Sequence, residues 1–229
     1  MAHPERDETR PFVLLLLALV AIILVEPHVA DRSGASLAIR LSAVGLTVPL
    51  VTVGLLGTTR FKRRPFVVAA IVLLLNGGGL ARLTFLPPQI GLAAALAFLF
   101  WTTIQVFRRV LRAPAITLNV IAGALAAYLM MALAWALAYG AAEVTWPGSI
   151  HVTAPAGGVA PVDVHTLMYF SAITIMTIGY GDVTPALPFA RTLAVMEGLS
   201  GVVFTAVVLG GLVGTLIESR RRNGAEGGR

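Results

Sequence analysis

Cysteine is absent from the 229 residues, so no disulfide and no thiolate metal site can form, and the redox compartment is left open. Charge is scarce too: Asp, Glu, Lys and Arg make up 12% of the chain, about half of what soluble domains carry. Catalytic furniture is lacking as well, with no metal-ligand cluster, no nucleophile beside a base and no phosphate loop, so an enzyme and a bound cofactor are not expected. What is abundant is apolar: 57% of residues are hydrophobic and the mean hydropathy is +0.87, which marks an integral membrane protein. A net charge of +6 and a pI near 10.7 would suggest nucleic acid in a soluble chain. Here the basic residues are better explained by topology, and no nucleic-acid partner is expected.

Apolar runs at about 11–25, 35–57, 65–86, 88–107, 117–139 and 193–217 divide the chain, most of them near the twenty residues a bilayer core requires. The first is short and ends at Glu26-Pro27, so a signal peptide competes with a span there, although no good cleavage site follows. The expected organisation is a tail at 1–10, a four-helix peripheral domain at 11–107, a basic linker at 108–116, a pore domain at 117–219 and a second tail at 220–229. That last stretch is too short to fold as a ligand-binding domain.

Orientation follows from the positive charges, which stay on the cytoplasmic side of short loops. Arg60, Lys62, Arg63 and Arg64 follow the second run; Arg108, Arg109 and Arg112 follow the fourth; Arg220, Arg221, Arg222 and Arg229 follow the sixth. With Arg6 and Arg10, thirteen of the 17 basic residues fall on one side, and the opposite loops carry Arg32 and Arg191. Both termini are therefore expected in the cytoplasm of a multi-pass protein of the cell (inner) membrane. Arg40 and Arg82 lie toward outer helix ends, where they can snorkel or meet Glu26 or Asp31.

Between the last two runs lies Thr177-Ile178-Gly179-Tyr180-Gly181-Asp182-Val183-Thr184-Pro185. Gly179 and Gly181 can take φ > 0, which turns successive carbonyls to one side instead of alternating them as in a strand. Four such ladders around an axis replace the hydration shell of a monovalent cation, with the Thr177 hydroxyl as the innermost ring. A short apolar helix over 163–176, with Asp163 as N-cap, precedes the loop, and a span-length run follows it.

This stretch resembles the selectivity filter of potassium channels, with Ile178 in the place of a valine. The resemblance to bacterial members runs from the short helix before the filter through the first half of the last span, and the count of six spans resembles their six-transmembrane, voltage-gated architecture. The resemblance implies an all-α membrane protein of six transmembrane helices with a re-entrant pore helix and filter loop, assembled as a homotetramer. It implies potassium bound at Thr177, Ile178, Gly179 and Tyr180, Gly181 and Asp182 completing the filter, and Tyr169 and Phe170 bracing it. Gly201 falls where that family has a gating-hinge glycine, although it also suits close helix packing beside Gly198, Gly210, Gly211 and Gly214. Ile173 stands where some members carry a glutamate, so a carboxyl pair behind Asp182 is excluded. Asp182 is expected at the outer mouth, in a hydrogen bond to Tyr169, or both.

Glu197 is an ionisable residue inside a span, and intramembrane carboxylates usually face protein or water. It is expected to support the filter from behind the pore helix, toward Ser171 or Thr174, or to reach solvent near the outer end of the span, with a pore-lining role as the remaining alternative. Val202, Thr205 and Leu209 are expected to line the cavity below the filter. Residues 89–107 contain no charge at all, whereas a voltage sensor moves several charges, each worth about 2.3 kcal/mol per 100 mV. The reading is therefore a potassium-selective channel with little intrinsic voltage sensing, gated by lipid, by the filter or by a separate regulatory subunit. Anionic lipid at the basic segments is a further expected partner. A secondary transporter and a non-conducting regulatory or scaffold subunit are the alternatives.

Overall fold

The computed structural model describes residues 11–30, 36–56, 88–113, 116–154, 158–211 and 214. The third apolar run, Arg82, the basic loop at 60–64 and both tails lie outside the described residues.

Helices α1 (Pro11–Ala30), α2 (Leu37–Leu56), α3 (Pro88–Leu111) and α4 (Leu118–Thr145) come first, followed by a short strand β1 (Ile150–Val152). Helix α5 (Val164–Ile175), strand β2 (Val183–Pro185) and helix α6 (Pro188–Phe204) follow, and α6 runs on into a π-helical turn at Thr205–Leu209. Among the described residues four helical segments are long and apolar enough to cross a membrane: α2, α3, α4 and the run Pro188–Val208. With 12 residues, α5 reaches only about 18 Å and cannot cross a hydrocarbon core of about 30 Å.

The breaks between helices have local causes. Helix α3 carries Arg108 and Arg109 in its last turn and ends just before Ala113-Pro114, so the basic segment expected as a linker is partly helix. Likewise α4 continues six residues past the expected end at 139 and stops at Trp146-Pro147. Its start is fixed by Thr117, whose side chain accepts from the Val120 amide at 3.3 Å. Helix ends are also tied from neighbouring elements. Asn119 Oδ1 accepts from the Phe12 and Val13 amides at 3.1 and 3.3 Å, satisfying two orphan donors at the start of α1. The Arg109 guanidinium donates to the Leu56 carbonyl at 2.7 Å, closing the end of α2.

Helices α1, α2 and α3 pack on α4 of the same chain, with Leu15, Leu41, Leu99 and Leu137 fully buried between them. Gly45 and Gly140 let α2 and α4 approach closely, because a Cβ at either would overlap Leu137 or Leu41. The Arg40 guanidinium pairs with Glu26 Oε1 at 2.9 Å, joining α2 to α1, which is one of the arrangements the sequence allowed. Helix α6 and the turn after it differ from the rest: Val195, Met196, Leu199, Val202, Val203 and Val207 are all more than half exposed, so the described residues leave most of this apolar surface uncovered.

Candidate ion-conduction site

The loop 177–182 starts where α5 ends, and the amides at its start fold back onto that end. Thr177 N–H donates to the Thr174 carbonyl at 3.0 Å, and the Ile178 and Gly179 amides share the Ile173 carbonyl at 2.8 and 3.2 Å. Three residues take φ in the left-handed region: Thr177 at 59°, Gly179 at 58° and Gly181 at 83°. The positive φ of Gly179 and Gly181 is what the two glycines led one to expect. Thr177 was not expected to join them, since a β-branched residue pays about 1–3 kcal/mol for such a backbone. Every residue from Thr177 to Asp182 is exposed within the single chain.

The loop is braced on its far side. Tyr169, near the middle of α5, donates its hydroxyl to Asp182 Oδ2 at 2.9 Å. The Asp182 carbonyl accepts from the Thr153 amide at 2.9 Å, next to a two-stranded antiparallel sheet in which Ile150 pairs with Pro185, His151 with Thr184 and Val152 with Val183. Glu143, in the last turn of α4, anchors β1 by accepting from the Gly148 amide at 2.8 Å and the Ile150 amide at 3.0 Å. Arg191 donates from Nε to the Pro185 carbonyl at 3.2 Å, tying β2 to the first turn of α6. Trp146 and Phe189 meet edge to face, ring centres 5.4 Å apart, across the same corner.

Behind α5 the packing is tight. Asp163 caps the helix by accepting from the Thr166 amide at 2.6 Å, as its position in the sequence suggested. Phe170 is buried and lies edge to face against Tyr139, centres 4.8 Å apart. Glu197 is fully buried and reaches Tyr139 from one oxygen and Ser171 from the other. Ile173 is buried without a carboxyl near it on α5, and its carbonyl serves the loop amides instead. Gly201 meets the C-terminal end of α5: a Cβ there would fall inside van der Waals contact with the Ile175 carbonyl, which also accepts from the Tyr128 hydroxyl at 2.8 Å.

Below Gly201, Val202 and Thr205 are exposed, and Thr205 returns its hydroxyl to the Gly201 carbonyl at 2.9 Å. The side chain of Leu209 lies outside the described residues. Phe204, at the entry to the π-helical turn, packs against Tyr128 and Phe107 with centres 5.1 and 5.8 Å apart, joining α6 to α4 and α3. The structure thus brings Tyr169 to Asp182, and Glu197 to Ser171. Sequence reasoning missed Tyr139, Tyr128, Glu143 and the β1–β2 pairing. Tyr139 stands 58 positions from Glu197, and no local pattern links residues so far apart.

Residues 116–218 match a family model described as an ion channel. The chain is 36% identical over 94 residues to "Two pore potassium channel c" of Oryza sativa subsp. japonica, covering 40% of this chain and 20% of that protein. It is 34% identical over 61 residues to "Two-pore potassium channel 5" of Arabidopsis thaliana, covering 27% of this chain and 15% of the relative. The chain therefore spans about a fifth of the length of the first curated relative it matches. No solved structure matches. From α4 onward, the part that carries the loop and its braces, this multi-pass membrane protein is similar to ion channels, and it shares sequence with potassium channels of two plants.

Proposed function

We propose that four copies of this chain assemble around a common axis as a potassium-selective pore, with the 177–182 loops as its filter. The observation that carries this is the loop backbone: positive φ at Thr177, Gly179 and Gly181, with the Thr177, Ile178 and Gly179 amides turned onto the end of α5. With those N–H groups engaged behind the loop, the carbonyls of Thr177, Ile178, Gly179 and Tyr180 are free to coordinate a dehydrated cation. One chain supplies one quarter of each ring. An irregular, exposed backbone is tolerated at membrane depth only when protein or water covers it, which supports a central, shared position for the loop. The uncovered apolar face of α6 supports the same assembly, since neighbouring copies would cover part of it while Val202 and Thr205 line the cavity. The plant relatives named as potassium channels support the ion.

Potassium is the permeant ion and no cofactor takes part. Helices α1 to α3, with the third apolar run, form the peripheral domain around the pore, and both termini lie in the cytoplasm. Residues 89–107 in α3 carry no charge, which supports weak voltage sensing. The exposed Arg108 and Arg112 are suited to anionic lipid headgroups. Gly201 acts as a close-packing site against Ile175 and, through the same lack of a side chain, as the place where α6 can bend. Rubidium uptake into proteoliposomes tests the reading: uptake competed by potassium and spared by sodium is expected, and Gly179→Ala, at φ 58°, should abolish it. Equal competition by sodium would reject potassium selectivity.

A further inference from the structure

The oxygens around Glu197 need more protons than the surrounding hydroxyl groups can supply. Ser171 Oγ lies 2.5 Å from Glu197 Oε1 and 2.6 Å from the Ala132 carbonyl oxygen. Both are hydrogen-bond distances, yet serine has one proton to give and a carbonyl can only accept. If Glu197 were a carboxylate, one of these two contacts would press oxygen against oxygen with no hydrogen between them. Tyr139 cannot relieve the conflict, because its hydroxyl is engaged with Oε2 at 2.6 Å. A proton on Oε1 does relieve it: Oε1–H donates to Ser171, Ser171 donates to Ala132, and Tyr139 donates to Oε2. Every oxygen pair then has one hydrogen.

The surroundings agree. Glu197 is 0% exposed, and among the described residues no lysine or arginine forms an ion pair with it. An unpaired buried carboxylate carries a desolvation cost of several kcal/mol, which a neutral acid avoids.

We propose that Glu197 is a neutral carboxylic acid whose own proton is donated to Ser171, and that the resulting chain from Tyr139 through Glu197 and Ser171 to Ala132 is a positioning device that locks α5 between α4 and α6. Ser171 stands two and three residues before Ile173 and Thr174, whose carbonyls hold the loop amides. Displacing Ser171 therefore displaces the acceptors that set the loop backbone. The effect on conduction rests on the reading of 177–182 as a potassium filter; the proton assignment does not.

Isotope-edited infrared spectroscopy of the full chain with labelled glutamate, at neutral pH in lipid, tests the proton directly. The expected result is a protonated-carboxyl C=O band that vanishes in Glu197→Gln and shifts in Ser171→Ala and Tyr139→Phe. Carboxylate signal alone overturns the proposal. Permeability ratios test the positioning role. Glu197→Gln keeps one donor and one acceptor, so its sodium-to-potassium ratio should stay within about twofold of wild type, while Glu197→Ala should raise it by at least about fivefold. If Glu197→Ala does not assemble, Ser171→Ala and Tyr139→Phe, which leave Glu197 in place, should each raise the ratio. Wild-type ratios in all the Ala and Phe variants would overturn the role. A wild-type chain without potassium current would refute the conduction reading, and the infrared band would still decide the protonation.

Discussion

Gly201 owes its identity to a neighbour 26 positions earlier, since its missing Cβ leaves room for the Ile175 carbonyl. Gly201→Ala should push α6 off the end of α5 and destabilise the fold by about 1–3 kcal/mol, the usual cost of overpacking, as a lowered thermal midpoint in detergent would report. An unchanged midpoint would mean that α6 shifts freely. Tyr169→Phe removes the hydroxyl that holds Asp182 and nothing else. A loss of about 0.5–1.5 kcal/mol of loop stability is expected, visible as faster decay of current during a sustained pulse. At this scale the sequence was partly legible. The positive φ of Gly179 and Gly181 and the Asp163 cap could be read because each depends on the residue itself or on its near neighbours. Tyr139, Tyr128 and Glu143 could not, because their value lies in partners on other elements.

The short sheet is the element that no periodicity announced. Three residues per strand is too few for an alternating pattern, and β1 lies in a stretch punctuated by glycine and proline, with Pro147 and Gly148 just before it. Pairing β1 with β2 fixes the chain leaving the loop to the chain leaving α4, so the loop is held at both ends: by α5 before it and by the sheet after it. Thr153→Pro deletes the amide that donates to the Asp182 carbonyl and should speed hydrogen exchange at the amides of 180–182, while leaving α4 protected. Equal protection in the variant would show that Tyr169 alone suffices. The helices, by contrast, were legible in existence wherever length and hydropathy decided them, and less so in their bounds: α1 runs through Pro27 to Ala30, past the end expected at 25, and α6 begins at Pro188 instead of 193. The ends of α3 and α4 ran on toward the next proline, Pro114 and Pro147.

For the whole molecule, α3 packs on α4 within one chain, so the uncharged stretch 89–107 lies against the first helix of the part that is similar to ion channels. A charge crossing the full membrane field is worth about 2.3 kcal/mol per 100 mV, and 89–107 has none, so conductance should change by less than about tenfold over 100 mV. A steeper conductance–voltage curve would require moving charges elsewhere in the chain. The proposed assembly rests in the sequence on the resemblance of the loop, since nothing in a single sequence says how many copies close a ring; in the structure it rests on the face of α6 that the described residues leave uncovered. The central claim is that the 177–182 loops select potassium. Its most direct test is the reversal potential of the purified protein in a planar bilayer, with potassium on one side and sodium on the other. A reversal close to the potassium equilibrium potential is the expected result, and a reversal near zero, with current flowing equally for both ions, would contradict the account.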